Sequence, residues 1–246
     1  MNGPSHKNAL GQPIGFPLPQ WTPPPHPPRT PLIGRYCRVE HLNIEQHAAD
    51  LFAANALDVS GAGWTYLSCG PFADLSGYRQ WMQNTGLGDD PLFHAIIDLQ
   101  TQKPVGVASY LRIDRKGGAI EVGHLRYSPL MQRSPVATEA MYLMMKRIFD
   151  LGYRRYEWKC DSLNAPSRVA AQRLGFSYEG LFRQATINKN RNRDTAWFSI
   201  IDSEWPALNE AFVRWLAPEN FDTAGKQKLS LSQLTAPLLK RRDDAA

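Results

Sequence analysis

The 246-residue sequence has few cysteines and no long apolar run, and these shortages exclude several kinds of protein. The three cysteines Cys37, Cys69 and Cys160 are odd in number and widely spaced, which matches neither a disulfide framework nor a zinc site. No stretch of about 18 consecutive apolar residues occurs, so no membrane-spanning helix is predicted. Residues 1–31 are polar and lack the apolar segment of a secretory signal. A cytoplasmic protein with reduced thiols is therefore expected.

Motifs of hydrolytic and metal-dependent enzymes are also missing. The sequence has no Gly-x-Ser-x-Gly elbow and no His-Glu-x-x-His pair, and its six histidines are scattered, so no metal site is predicted. The formal net charge is +5, yet no block of five or more basic residues occurs. The densest basic run, between Lys189 and Arg193, is interrupted by asparagines and ends at Asp194. The charge pattern therefore does not indicate a nucleic-acid-binding protein.

The sequence does contain a regular alternation of strand and helix patterns between two irregular ends. Residues 1–33 hold most of the proline and are predicted to form an arm over the domain, whereas residues 218–246 lose periodicity and are predicted to be a mobile tail. Between them, residues 34–217 are predicted to form one domain with the order βα(α)βββαβαββα. Three consecutive strands followed by a β-α-β-α unit indicate a mixed sheet with helices on both faces.

The polar turn at residues 128–134 joins a predicted strand to a helix that begins at Pro135. A helix N-terminus presents unpaired backbone N–H groups, which suit a pyrophosphate. Gln132 and Arg133 lie in the turn and add favourable polarity. Proline fits the first turn of the helix, because its missing N–H would have been unpaired there in any case.

Four segments in order along the chain resemble motifs of the GNAT acetyltransferase superfamily. They are Gln132-Arg133-Ser134-Pro135-Val136-Ala137, Asn164-Ala165-Pro166-Ser167, Leu174-Gly175-Phe176 with Glu179-Gly180, and Asp194 to Trp205 with the preceding Arg183. The last segment is similar to the branch that contains the ribosomal-protein N-terminal acetyltransferases. The resemblance covers about residues 35–216. It implies the GNAT fold, an α/β (mixed α+β) architecture with a central, twisted, mostly antiparallel mixed sheet and helices on both faces.

The resemblance implies an acyltransferase that moves an acetyl group from acetyl-CoA, a substrate rather than a resident cofactor, to a primary amine. The acceptor stays open between a protein N-terminus, a polyamine or amino sugar, and a small metabolite amine. Many relatives pair as dimers, so a homodimer is a further implication. For Asn164 the alternative is a pure helix cap, and for Arg168 a solvated surface position. The implied CoA-binding residues are Gln132, Arg133, Ser134, Val136, Ala137, Thr138, Asn164, Ser167 and Arg168.

Acetylation of an amine requires a base for the proton of the attacking nitrogen. Glu121 is predicted to take that proton, and the alternative is an ordinary strand carboxylate paired with an arginine. His124 would project from the opposite face of a regular strand. It reaches the same pocket only across a bulge, which by the resemblance is usual in this fold. His124, Arg193 and Asp194 are assigned to the acceptor side.

Two departures from the family pattern bear on the mechanism. Pro135 replaces the first glycine of the pyrophosphate loop and removes one N–H donor. Ala171 stands where many members have the tyrosine that protonates the leaving thiolate, which leaves Tyr178 and Tyr127 as candidates by position. The missing tyrosine also keeps open a second hypothesis, a non-catalytic module of the same fold that binds CoA or acyl-CoA.

Overall fold

The computed structural model describes residues 6–244, so residues 1–5 of the predicted arm and 245–246 of the predicted tail lie outside the described residues. The described strands are β1 His6–Lys7, β2 Pro13–Ile14, β3 Leu32–Ile33, β4 Cys37–His41, β5 Leu92–Asp98, β6 Lys103–Asp114, β7 Ala119–Tyr127, β8 Arg155–Asp161, β9 Ser177–Asn188 and β10 Arg191–Ile201. The described α-helices are α1 Ile44–Ala56, α2 Leu75–Thr85, α3 Pro135–Asp150, α4 Ala165–Arg173, α5 Trp205–Leu216 and α6 Leu231–Thr235. Among these helices, none combines the length and apolar character that a membrane crossing requires.

One eight-stranded sheet in the order β3-β4-β5-β6-β7-β8-β10-β9 organises the domain. Its neighbouring strands are antiparallel except for β7 and β8, which are parallel and are joined through α3. A parallel pair needs such a crossover, whereas hairpins suffice elsewhere. The predicted mixed, mostly antiparallel sheet is confirmed, as is the predicted order of strands and helices within the domain.

The pleat of the strands separates two apolar cores, one on each face of the sheet. On the face covered by α1 and α2, which we call the α1 face, strands β5 and β6 contribute Phe93 and Val107. On the opposite face, the α3 face, Ile120 and Trp158 pack in the core that α3, α4 and α5 share. Because successive side chains of a strand point to opposite faces, these contacts assign a face to the residues between them.

The helix starts are fixed by local hydrogen bonds. Asn43 and Asp74 cap α1 and α2 by accepting from backbone N–H groups of the first turn. By contrast, α3 begins at Pro135 without a side-chain cap, since the Ser134 hydroxyl donates to the carbonyl oxygen of Met131 at 2.7 Å. The first N–H groups of α3 are therefore left for another acceptor.

The proline-rich arm lies against the domain through backbone carbonyl groups. Tyr153 Oη donates to the oxygen of Pro25 at 3.1 Å, and Arg147 donates to the oxygen of Thr30 at 2.6 Å. The indole Nε1 of Trp21 donates to the Lys116 oxygen at 3.0 Å. Extended, proline-rich backbone cannot satisfy its own carbonyl groups, so the domain supplies the donors.

The aperiodic C-terminal segment has structure that its sequence pattern does not predict. Leu231 of α6 is fully buried in the α3-face core. The backbone N–H of Tyr178 donates to the oxygen of Arg241 at 3.0 Å, and the Asp243 carboxylate forms an ion pair with Arg168. These contacts join residues far apart in sequence, and local periodicity does not report on them. The boundaries of arm, domain and tail stay predictions.

The carboxylate of Glu139 on α3 connects this helix to the segment before β4. It accepts hydrogen bonds from the backbone N–H groups of Arg35, Tyr36 and Cys37 at 2.8, 2.6 and 2.8 Å. Glu139 is buried, so water cannot take the place of its carboxylate as the acceptor for these N–H groups.

We expect Glu139→Ala to lower the free energy of unfolding by about 3–5 kcal/mol, because it leaves buried donors unpaired. Glu139→Gln keeps one oxygen acceptor and should lose less. Denaturant unfolding measures both, with Glu210→Ala on the exposed side of α5 as the control. Equal losses in the alanine and control variants would contradict this role.

Candidate active site

Strands β7 and β8 are paired over only part of their length. The parallel register ends at the pair Val122–Trp158, although β7 continues to Tyr127 and β8 to Asp161. Beyond that pair, β7 follows β6 and β8 follows β10. The two strands therefore diverge, and a cleft with a cavity of about 640 Å³ opens in the middle of the sheet.

A β-bulge in β7 brings Glu121 and His124 to the same side of the sheet. The register with β6 shifts between Val107 and Ser109, and His124 has a φ of 51°. A left-handed φ at a residue other than glycine is typical of such an irregularity. The imidazole of His124 packs against Phe93 on the α1 face, with 5.0 Å between ring centroids. Both Glu121 and His124 line the cavity, and the bulge that His124 needs to reach the side of Glu121 is present.

The hydrogen bonds of Ser109 determine the tautomer of His124. Ser109 Oγ donates to the oxygen of Gly123 at 3.2 Å and lies 2.8 Å from His124 Nδ1. A hydroxyl has only one proton to donate, so a Ser109 hydroxyl that donates to Gly123 accepts from Nδ1–H, and in that tautomer Nε2 keeps its lone pair. Among the described residues Nε2 has no hydrogen-bond partner, and it is not one of the buried unpaired atoms, so it is accessible from the cavity.

The charge state of His124 follows from its surroundings. Burial lowers the pKa of His124, and the positive charges of Arg112 and Arg193 lower it further. The ring is therefore neutral at neutral pH. A neutral imidazole with a free Nε2 lone pair can accept a proton.

Glu121 is held in a network of ion pairs. Arg112 Nη1 lies 2.8 Å from both carboxylate oxygens, and Lys159 Nζ lies 2.9 Å from Oε2. The same ammonium contacts Glu157 at 2.7 Å and lies 3.9 Å from the centroid of the Trp197 ring. Glu121 is thus a buried carboxylate paired with an arginine, which agrees with its interpretation as an ordinary strand carboxylate. It also lines the cavity, which its interpretation as the base requires.

The predicted CoA-binding residues divide into two groups. Gln132, Asn164 and Ser167 line the cavity from the α3 face. Asn164 caps α4 by accepting from the N–H of Ser167 through Oδ1 at 3.2 Å, and its Nδ2 makes no hydrogen bond within residues 6–244. The cap and a ligand contact are therefore compatible. The residues that do not line the cavity are Arg133, Ser134, Val136, Ala137, Thr138 and Arg168.

Two residues of the second group already have partners elsewhere. Arg168 Nε donates to Asp243 Oδ2 at 2.6 Å, and its Nη1 donates to the oxygen of Ser162 at 3.0 Å. The Thr138 hydroxyl accepts from Arg173 at 3.0 Å. The alternative for Arg168, a solvated surface position, does not describe it either, since it fastens the C-terminal segment to α4.

The two tyrosines suggested as general acids lie away from the cavity. Tyr178 is on β9, two strands from β8 in the sheet order, where its ring packs against Phe198 and beneath the Arg241 guanidinium. Neither Tyr178 nor Tyr127 lines the cavity. Burial raises the pKa of the Tyr127 phenol. The structure therefore does not bring either phenol together with Glu121.

Of the predicted acceptor-side residues Arg193 and Asp194, only the first lines the cavity. Arg193 lines the cavity, and its buried Nε has no partner among the described residues. Asp194 does not line it; its carboxylate accepts from the N–H of Gln184 at 2.7 Å and from Asn192 Nδ2 at 3.0 Å. Asp194 thus shapes the strand pair rather than the cavity.

A segment between α1 and α2, residues 57–70, bounds the cavity on the α1 face. Lys189, at the turn between β9 and β10, donates to the oxygen of Trp64 at 2.9 Å. Tyr66 lines the cavity and donates through Oη to the oxygen of Leu163 at 3.0 Å. The segment is therefore fastened at two points, to the β9–β10 turn and to the start of α4.

Sequence reasoning missed three polar residues of the site. Arg112 has a φ of 49°, which breaks the alternation by which a strand residue is assigned to a face. Lys159 reaches Glu121 only through the parallel register of β7 and β8, and Ser109 reaches His124 only through the bulge. No local motif signals any of these contacts.

Thiol and metal chemistry receive no support from the geometry. Cys160 lines the cavity, but burial raises the pKa of its thiol to about 11, which keeps it in the poorly nucleophilic protonated form. Within the part of the chain that the structure describes, no group of three or more His, Cys, Asp or Glu side chains is arranged to hold a metal ion.

Comparison with known proteins relates this architecture to one family. The family model described as an acetyltransferase (GNAT) domain matches residues 39–177. The crystal structure of a GCN5-related N-acetyltransferase from Brucella melitensis is 49% identical, with a TM-score of 0.87 over 89% of this chain and 100% of that chain. A probable acetyltransferase of the GNAT family from Chromobacterium violaceum ATCC 12472 is 38% identical, with a TM-score of 0.74 over 80% of this chain and 98% of that chain.

More distant matches show the fold alone. The structure of RimL, a ribosomal L7/L12 alpha-N-protein acetyltransferase, is 17% identical, with a TM-score of 0.58 over 70% of this chain and 94% of that chain. A search of curated proteins found no match.

We expect the imidazole of His124 to titrate below the ordinary histidine pKa of about 6.5, because burial disfavours its charged form. Lowering the pH from neutrality should thus leave the ring neutral after an ordinary histidine has become protonated. Nitrogen-15 NMR of the imidazole measures both the pKa and the Nδ1–H tautomer. Ser109→Ala should weaken the tautomer preference, and an Nε2–H form in the unmodified chain would contradict the assignment.

Proposed function

Since the chain belongs to the GNAT acetyltransferase family, we propose that it transfers the acetyl group of acetyl-CoA to a primary amine, by direct attack of the amine on the thioester. The observation that supports this most is the cleft between β7 and β8. It is lined from the α3 face by Gln132 and Asn164, and from the α1 face by Glu121 and His124. A donor from one face and an acceptor from the other would meet inside the sheet.

The α3 face has the groups that acetyl-CoA requires. The uncapped N–H groups at the start of α3, at the positive end of the helix dipole, suit the pyrophosphate, and Gln132 lies beside them. The free Nδ2 of Asn164 suits an acceptor oxygen of the pantetheine arm. Acetyl-CoA supplies the thioester carbon that is attacked; the chain's own residues position that carbon and remove the proton.

We assign the proton transfer to His124 rather than to Glu121. The amine must attack as the neutral base, and the bond from its nitrogen to the acetyl carbon forms as the carbon–sulfur bond breaks. His124 Nε2 is neutral and unoccupied and can take the proton, whereas both oxygens of Glu121 already contact Arg112 and Lys159. Glu121 then holds these cations in place. The leaving thiolate, with an ordinary thiol pKa of about 8.5, can be protonated by water.

The acceptor class is the finer part of the proposal. The similarity of Asp194 to Trp205 to ribosomal-protein N-terminal acetyltransferases makes a protein N-terminus one class to assay. A non-catalytic CoA-binding module would bind acetyl-CoA yet release no CoA above the solvent background with any amine. Titration and turnover measured on the same preparation separate the two hypotheses.

Calorimetric titration should show acetyl-CoA binding that Gln132→Ala and Asn164→Ala each weaken by about 3- to 10-fold, the effect of one lost hydrogen bond. Asn164→Asp keeps the cap acceptor but loses the amide donor, so it should weaken binding without a comparable loss of thermal stability. Asn43→Ala removes a cap far from the cleft and serves as the control. Unchanged affinity in the Gln132 and Asn164 variants would exclude this CoA site.

The pH dependence of turnover distinguishes the two candidate bases. His124→Gln should reduce kcat by about 10²- to 10⁴-fold and abolish the acid limb that the lowered pKa of His124 produces in kcat at saturating acceptor. Glu121→Gln should reduce the rate while the acid limb remains. The reverse pattern would assign the base to Glu121, as the sequence predicts.

A further inference from the structure

We propose that the acceptor is a small molecule that carries a carboxylate close to its amine, in the manner of an amino acid, and that Arg193 binds this carboxylate. The inference rests on the proposed acetyl transfer and names the substrate class of the same site. It depends on where Arg193 lies, on the charges around it, and on what closes the cavity.

Arg193 belongs to the α1 face, on which Glu121 and His124 also lie. In β10, Ala196 and Phe198 pack into the α3-face core, so Thr195 and Trp197 point to the α1 face. The irregularity between Arg193 and Thr195 adds residues to β9 and none to β10, which leaves the alternation of β10 intact. Arg193 therefore leaves β10 on the α1 face, the face opposite the start of α3.

Two of the three carboxylates that line the cavity, Asp58 and Glu121, form ion pairs with cations of the protein. Asp58 pairs with Arg126 at 3.1 Å, and Glu121 pairs with Arg112 and Lys159. Asp161 accepts from the N–H of Leu163 at 2.9 Å and has no ion pair within residues 6–244.

Arg193 is a cation of the cavity that has no ion pair of its own in the described part of the chain. Across the described residues it forms no ion pair and no hydrogen bond, and its Nε is buried without a partner. A charged group that is partly removed from water costs free energy unless an opposite charge accompanies it. Arg193 thus lines the cavity without a protein partner among residues 6–244, and an anionic group of a bound ligand can supply one.

The chemistry of this partner follows from the charge and shape of the guanidinium. Arginine presents a planar fork that matches a carboxylate through two parallel hydrogen bonds. One uncompensated cation balances a monoanion, whereas a phosphate dianion would need a second cation, and Arg112 and Lys159 are both paired with Glu121. His124 lies near enough for the Arg193 charge to lower its pKa. Because His124 and Arg193 line the same cavity, one small acceptor can place its amine at His124 and its carboxylate at Arg193.

The size of the acceptor follows from the fastened segment 57–70. Lys189 and Tyr66 connect this segment to the β9–β10 turn and to the start of α4, so the α1 side of the cavity has walls on several sides. The cavity of about 640 Å³ must also contain the acetyl end of the donor. These dimensions fit a small amino acid beside the acetyl end of the donor.

The test compares amines that differ only in the carboxylate, namely phenylalanine with phenethylamine and lysine with cadaverine. In the unmodified chain the carboxylate-bearing member should have a kcat/KM about 10- to 100-fold higher, the effect of one charge-assisted pair. Arg193→Gln should remove this preference, so that the ratio of the two kcat/KM values within each pair falls to about one. Arg191→Gln, an exposed arginine on the same strand that does not line the cavity, is the matched control and should keep the preference.

Product binding gives a readout that does not need turnover. In the presence of CoA, N-acetylphenylalanine should bind more tightly than N-acetylphenethylamine, and Arg193→Gln should abolish the difference while the thermal melting temperature stays the same. Equal binding of the two products, or faster acetylation of a peptide N-terminus without acidic groups than of any amino acid, overturns the inference. If acetyl-CoA does not bind at all, the proposed function fails first; if it binds and both members of each pair react equally, only the acceptor class fails.

Discussion

The site depends on two parallel strands that stop pairing halfway along their length. Beyond Val122 and Trp158 each strand keeps only its outer neighbour, so the sheet has an opening where its core would otherwise be continuous. The bulge at His124 contributes to this opening, because it adds a residue to β7 and shifts the strand relative to β6. An opening of this kind is accessible from both covered faces, which allows two reactants to meet without crossing each other.

Burial then determines what each polar group near the opening can do. Carboxylates and cations that share the α1 face neutralise one another in pairs, as around Glu121, since unpaired charges away from water are costly. His124 avoids that cost by remaining neutral, with one nitrogen used by Ser109 and the other left for chemistry. The ion pairs at both oxygens of Glu121 and the neutral ring of His124 are therefore the two features on which the proposed proton transfer rests.

The extent to which the sequence predicts this arrangement depends on the range of each interaction. Apolar periodicity is a local signal, and it predicts the order of strands and helices within the domain. The family motifs indicate Gln132 and Asn164 as residues of the site, because each belongs to a local loop or helix start that the motif includes. The pairing of Glu121 with Arg112 and the removal of Tyr178 from the cavity depend on register and strand order, which no local pattern encodes. The homodimer and the segment boundaries stay predictions.

The left-handed backbone at His124 restricts how this position can change. Its φ of 51° is tolerated by glycine, asparagine and aspartate, and is strained for β-branched side chains. A chain that keeps the bulge can therefore exchange this histidine for few residues, and of these three only aspartate can act as a base. Variation in catalytic chemistry at this point of the fold is thus constrained by backbone conformation before it is constrained by reactivity.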